Sequence, residues 1–478
     1  MPSEEKIIKL YEDTVKDIYR EIAYKEGRGN SAAYQRQLLE KVKAVLKKLK
    51  LQTPRAVREA LRPAFLKGVQ DFARDTGFTL EPRINWRQLN ILIQNTTDQL
   101  TLATNRIGRI WEDAIRRAGI EATKHKMATG QTVDQMRRQL LAELLNINPM
   151  GRDGKQGVIT KRGTMRLDTY AALVARSTTA EAQNASKLEL AKENGYDLAR
   201  FTQHRPTCDI CAQYENRLFA LTKEAANSKY KGPDGRLLRF PYLYDTAFVS
   251  GYNNIHPNCR HRLVIVVSAF LSSEELAEWS IKSMRPFADN RGERDRRAYA
   301  EAQAKNRERW QDRRQWEQYR SVLKDKTPAN FGAFRIMKKA DSEKWRFLYL
   351  DFNRRKQLIE NPERALPYAD KAWAADVKFT KYLFNQGNPD GWAKGIAITK
   401  RLGYNIDNWE ELKKTIMYSA MQYPATFKVR TQYGDKYEQN IVIYGKAGRP
   451  ANMKVGWMVE EDSVKMTTCF LEEPKWKE

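Results

Sequence analysis

The chain has 478 residues, with 85 Lys and Arg against 59 Asp and Glu and a formal charge of +26. That length implies about three domains, and the cationic surplus points to a polyanionic partner, nucleic acid or an acidic protein, bound with release of counterions. No run of about 18 apolar residues occurs, which excludes a membrane-spanning helix, and the opening MPSEEKIIKLYEDTV lacks the basic and apolar regions of a secretory signal, so export by that route is not expected.

From residue 3 to about 147 the pattern is helical. Ile8, Tyr11, Val15 and Ile18 recur at steps of three and four and mark a first helix. Leu38, Val42, Val45 and Leu49 mark a second, with Lys41, Lys43, Lys47, Lys48 and Lys50 over its remaining surface. Residues 34–75 carry eleven Lys or Arg against four Asp or Glu. That surplus reads either as a surface facing nucleic acid or a protein partner or as an ordinary solvated face. Leu89, Ile93, Thr96, Leu100, Ala103, Ile107, Ile110 and Ala114 alternate steps of four and three, which predicts one long helix packing a seam within the domain. Gly119 and Gly130 punctuate the pattern, and Thr132 with Gln135 forms a capping box for a helix to about Leu145.

NPMGRDGKQGVITKRG at 148–163 reads as a loop or short hairpin, followed by a long helix from about Met165 to Glu193, ended by Asn194-Gly195. The chain has four cysteines and four histidines, and three of each fall within HRPTCDIC at 204–211 and HPNCRH at 256–261. Two residues between Cys208 and Cys211 let a tight turn aim both sulfurs at one point. Cys259 and His261, one residue apart, share a face of extended backbone. Thiolate and imidazole donors in this pattern suit tetrahedral zinc. The first-choice ligands are Cys208, Cys211, Cys259 and His261, with His256 or His204 as alternates; the competing reading is a metal-free knot of buried thiols and hydrogen-bonded histidines. Neither the HxE of zinc deaminases nor an HExxH helix occurs, so the metal reads as structural. Cys469 is remote in sequence, which argues against a disulfide framework and for a reducing compartment.

Between the half-sites, NRLFAL, RLLRFPYLY and AFVSGY read as short strands and turns, LVIVVSAF at 263–270 as a fully apolar, buried strand, and Ser272 with Glu275 as a capping box.

The run GYDLARFTQHRPTCDICAQYENRLFAL with NIHPNCRHRLVIVV resembles the signature of tailed-bacteriophage minor capsid proteins, the head-morphogenesis proteins associated with the portal vertex. Asp197, His204, Cys208, Cys211, His256, Pro257, Asn258, Cys259, Arg260 and His261 match it, and the family's Cys-or-His alternation at the last position favours His261 as a ligand. RLDTYAALVARSTTAEAQNA resembles the helix that precedes the signature. The resemblance is specific over about 164–270 and looser before it. It implies a virion structural protein made in the bacterial host cytoplasm, contacting portal and capsid proteins and packaged DNA, with multiple copies per particle.

Residues 285–326 are dense in both charge signs, with Tyr299, Trp310, Trp316 and Tyr319 as a narrow apolar stripe. The segment reads as an exposed helical connector, with nucleic acid stacking on those rings as the sharper alternative. TPANFGAFRIMKKADSEKWRFLYLDFNRR resembles a short helical module that follows the signature in the same phage proteins. From about 376, after an opening stretch Phe379 to Phe384, a helix is expected over Asp390–Leu402. A second covers 407–422, capped by Asp407 with Glu410, and TFKVRTQY, KYEQNIVIYG, MKVGWMVE and VKMTTCF follow as four antiparallel strands.

KYLFN, GWAKGIAITKRLGY, VGWMV and KMTTCF resemble small C-terminal domains of the barnase-like and RelE-like ribonuclease toxin class, with Lys394, Trp457 and Thr468 as matching positions. Lys394 and Arg430 could bind phosphate and Thr468 position it, but no histidine lies beyond 261 to act as base. The alternative to a structural protein is therefore a toxin-like, metal-independent ribonuclease on a virion-associated scaffold. The expected fold is α+β and multidomain. A helical part spans 1–147, a metal-stapled α/β-hairpin module 148–284, a charged connector 285–375, and a two-helix, four-stranded antiparallel domain 376–478.

Overall fold

The computed structural model describes residues 4–24, 31–78, 84–129, 158–160, 163–246, 248, 254–474 and 476. The Thr132–Gln135 capping box and most of AFVSGY lie outside them. The chain divides into two compact units, one of residues 1–21, 35–116 and 146–309, the other of 22–34, 117–145 and 310–478.

The helical periodicity becomes the helices Glu5–Tyr24, Ser31–Thr76 and Trp86–Thr129, of which residues 5–21, 35–76 and 86–116 belong to the first unit. Tyr11, Val15 and Ile18 are buried as expected, with Ile7 rather than Ile8 completing the face. The Tyr11 hydroxyl lies 3.0 Å from Thr53 Oγ1 and 3.3 Å from Thr104 Oγ1, so one buried phenol ties the three helices together. The second helix runs on past Leu49 through Pro54 and Pro63, although each proline removes one backbone donor. Gly119 does not break the third helix, which continues to Thr129.

Strands β1 (Val158–Thr160) and β2 (Gly163–Met165) pair as the expected hairpin. The helix Leu167–Glu193 follows and is buried on most sides. It lies so close to Ser31–Thr76 that a Cβ on Gly68 would sit 2.0 Å from Ser186 Oγ and 2.2 Å from the Gln183 carbonyl. Lys187, 1% exposed, donates to Asp75 Oδ2 at 2.7 Å and to the Leu263 carbonyl at 2.6 Å. These bonds hold the helix against a three-stranded antiparallel sheet, β3 (Leu198–Phe201) between β4 (Leu218–Ala220) and β5 (Leu263–Val266). β5 is an edge strand in which Leu263 and Ile265 are buried and Val264 and Val266 half-buried. The fully buried strand expected over 263–270 is thus shorter and one-sided, as antiparallel edges with one covered face are. Phe270, in the turn after it, is 82% exposed. The Ser272–Glu275 capping box forms both of its bonds.

The helix Glu293–Leu323 passes from the first unit to the second. In the second unit Trp316 and Tyr319 of its aromatic stripe turn inward, while Trp310 stays 54% exposed. Tyr319 stacks on Phe352 at 4.1 Å between ring centres and packs with Phe334 and Trp345 from the helices Phe331–Lys339 and Glu343–Glu360. Trp316 Nε1 donates to the Pro328 carbonyl at 2.9 Å. Tyr319 therefore offers no free face for a nucleobase.

The C-terminal sheet has the order β6-β10-β9-β8-β7. β7 (Ala425–Thr431), β8 (Gly434–Tyr444), β9 (Pro450–Val459) and β10 (Val464–Leu471) form the expected meander. A fifth, two-residue strand β6 (Ala372–Trp373) pairs parallel to β10 and was not legible in the sequence. Helices Pro389–Leu402 and Trp409–Ala420 cover the face carrying Ile441 and Ile443. Asn408, not Asp407, precedes the second of these, and its Oδ1 accepts from the Asn405 amide. Glu343–Glu360 lies on the Val442 side through Phe347 and Leu350. There Asp351, 0% exposed, accepts from Tyr423 Oη at 2.6 Å, Arg355 Nε at 2.7 Å and Tyr444 Oη at 3.0 Å.

Candidate metal centre

Two short turns build the centre. In the first, Cys208 caps the helix Asp209–Ala212 and its sulfur accepts from the Cys211 amide at 3.3 Å, so both thiols sit on one side of the turn. In the second, the Cys259 amide donates to the His256 carbonyl at 3.1 Å, and Asn258 takes a left-handed φ of 61°. Asparagine tolerates that conformation better than most residues, which is the local reason for the HPNC sequence. The turn sets His256 and Cys259 side by side, a second knuckle with the same two-residue spacing as the first.

The knuckles face each other. His256 Nε2 lies 3.0 Å from Cys211 Sγ and 3.3 Å from Cys208 Sγ, and Cys211 Sγ lies 3.5 Å from Cys259 Sγ. A tetrahedron with metal–sulfur bonds of about 2.3 Å and metal–nitrogen bonds of about 2.0 Å has edges of roughly 3.4–3.8 Å. The donor spacing is close to that, and the atoms of Cys208, Cys211 and His256 and those of Cys211, Cys259 and His261 fall in two groups of metal-binding dimensions that share Cys211.

The three histidines separate by their partners. His256 touches two sulfurs, and its Nδ1 bonds the Pro257 carbonyl at 2.7 Å. His261 touches one, with Nδ1 3.6 Å from Cys259 Sγ, while its Nε2 lies 2.6 Å from Oε1 of the buried Glu215. His204 faces away from the thiols: its Nε2 meets the Arg260 carbonyl at 2.9 Å and its ring packs edge-on against His261. Glu215 escapes the sequence pattern, since nothing local distinguishes it within AQYENR; it also accepts from the His204 amide and from Arg205.

The electrostatics suit a cation. Hydrogen bonding from Cys211 holds the Cys208 and Cys259 thiols down to about 4 each, and Cys211, as donor to both, is pushed up. The contact with Cys208 raises His256. Burial works against the charged forms of Glu215 and His261, but their mutual contact and their other partners prevail, leaving Glu215 at about 2 and His261 at about 9. Thiolate and neutral imidazole are the metal-binding forms, so an ion here would take up the Cys208 and Cys259 thiolates and displace the proton from the histidine that ligates it.

The candidate phosphate-binding residues of the C-terminal sheet are less concentrated. Lys394 Nζ donates to Tyr382 Oη at 3.0 Å and lies 5.8 Å from the Phe470 ring centre. Arg430 pairs with Asp435 at 2.8 Å. Its row of the sheet runs Arg430, Asp435, Val459, Val464, whereas Thr468 pairs with Gly456. Arg430 and Thr468 are thus three strands apart, about 14 Å, and, allowing for the bulge in β10, three residues along, about 10 Å, too far to grip one phosphate.

A family model described as Phage minor capsid protein 2 matches residues 5–342, and one described as a domain of unknown function (DUF6883) matches residues 365–473. No curated protein and no solved structure matches the chain.

Proposed function

The chain belongs to the phage minor capsid protein 2 family, and from that membership we propose that it is a structural component of the phage head beside the portal vertex, touching portal, capsid and packaged DNA, with its central fold locked by one zinc ion. The ligands are Cys208, Cys211, Cys259 and His256; His261, braced by Glu215, stands behind Cys259. The observation that supports the zinc is the near-tetrahedral spacing of donors from two knuckles 45 residues apart. Four protein ligands leave no open coordination position, which is the arrangement of a structural rather than a catalytic zinc. No helix among the described residues is long and apolar enough to cross a membrane.

Metal analysis of the purified full chain tests the ligand set. One zinc per chain is expected, lost in Cys208→Ser and His256→Ala and retained in His261→Ala. Loss in His261→Ala with retention in His256→Ala would move the fourth ligand to His261, and a metal-free wild type would remove the zinc altogether. Density for assembled particles tests the location: a chain found only outside the head overturns the structural role.

A further inference from the structure

We propose that the groove between the helices Ser31–Thr76 and Trp86–Thr129 binds the phosphate backbone of duplex DNA. The inference rests on the reading of the chain as a head protein that meets the genome, and it names the surface. The groove has a volume of about 650 Å³; Lys43, Lys47 and Lys50 form one wall and Asn105 and Arg109 stand on the other. Its floor is Leu46 and Gly108, where a Cβ on Gly108 would lie 3.0 Å from Leu46 Cδ1, so the glycine permits the close approach that the groove follows.

Charge is concentrated here and partly balanced further along the same helix. Arg55 pairs with Glu59 and Arg74 with Asp71. Residues 41–50 hold five lysines and no acid. In the groove the one carboxylate is Glu112, which faces Arg116 at 3.9 Å. Among the described residues Lys47 and Arg109 meet no carboxylate, and Lys43 has only the exposed Glu40 at 3.4 Å. Lys50 Nζ is held across the groove by Asn105 Oδ1 at 3.1 Å, which orients the ammonium without neutralising it.

The dimensions suit a nucleic-acid strand. Lys43, Lys47 and Lys50 share one face at steps of four and three and span about 10 Å, the axial length of about three phosphates on one strand. Lysine, arginine and asparagine are the side chains that position phosphates. A protein partner would need an apolar or aromatic centre, and the apolar side chain in this groove, Leu46, is buried in the floor.

The test is binding of the full chain to a short fluorescent DNA duplex over a range of salt. Lys43→Gln, Lys47→Gln and Lys50→Gln combined are expected to weaken binding on the order of 100-fold near 0.1 M salt and to flatten the plot of log affinity against log salt by about 2.7. Adding Arg109→Gln takes about 0.9 more. The replaced residues are exposed and glutamine keeps helix propensity, so melting should be unchanged. A control triple on the second unit, Lys381→Gln, Lys400→Gln and Lys414→Gln, should bind as wild type. If the groove variant keeps its affinity and slope while wild type still binds, the groove is the wrong surface and DNA contact survives elsewhere. If wild type shows no salt-dependent binding, the DNA contact itself falls. If polyglutamate binds as tightly as duplex and depends on the same lysines, an acidic protein is the partner and the proposal is overturned.

Discussion

His256 Nε2 lies 3.0 Å from Cys211 Sγ across 45 residues of chain. A metal at this junction adds to the β3–β5 ladder and the His261–Glu215 contact that already join the two segments, and its binding energy enters folding directly. Chelation is expected to lower the calorimetric melting temperature by about 10 °C or more. His256→Ala should already melt at the lower temperature and respond no further. An unshifted midpoint in chelator would show that the ion does not hold the fold.

Gly68 and Gly77 should fail for different reasons. At Gly68 the obstacle is space, because the Gln183 carbonyl 2.2 Å from a new Cβ cannot move without parting two helices. Gly68→Ala is expected to cost about 2–3 kcal/mol despite its better helix propensity. At Gly77 nothing lies within 4 Å and φ is +70°, so Gly77→Ala costs about 1 kcal/mol of backbone strain. Urea midpoints for the two variants should rank in that order.

The buried carboxylate of Asp351 faces Arg355 and two tyrosine hydroxyls. Replacing it with leucine leaves the guanidinium without its counterion, and a loss of about 3–5 kcal/mol is expected. Adding Arg355→Met removes the orphaned charge and should restore most of that loss. A double-mutant cycle in denaturant reads the coupling, and additive losses would show that the pair does not act as a unit.

Acid should loosen the second unit through Asp312. Burial alone would raise its pKa, but Lys338 at 2.7 Å and Arg335 at 2.9 Å hold it below the ordinary 3.8. A depressed carboxylate contributes stability above its unfolded pKa and loses it as pH falls through the folded value. Wild type should therefore exceed Asp312→Asn by about 2 kcal/mol near neutrality, with the gap closing below about pH 4. A gap that stays constant down to about pH 2 would contradict this assignment.

What could be read from the sequence divides by range of interaction. Helices with an apolar stripe, the β7–β10 meander and the Ser272 cap are local and were legible. The cysteines of the centre were legible because their types are rare in this chain. Cys259 and His261 do share a side, with His261 Nδ1 3.6 Å from Cys259 Sγ, but the turn at Asn258 also brings His256 to the thiols, which the alternation does not show. Glu215 and β6 are visible only once distant segments meet. The inward face of Tyr319 was hidden for the same reason: its partners Phe334, Trp345 and Phe352 belong to later helices.

The two knuckles also make a closed ring of the chain between them. Arg236 lies in that interval with its side chain 87% exposed, an open site for trypsin. A cut there should produce two fragments on a denaturing gel that travel as one particle in native conditions, held by the β3–β5 ladder as well as by the ion. The centre would then act as a rivet that outlasts the peptide bond beside it.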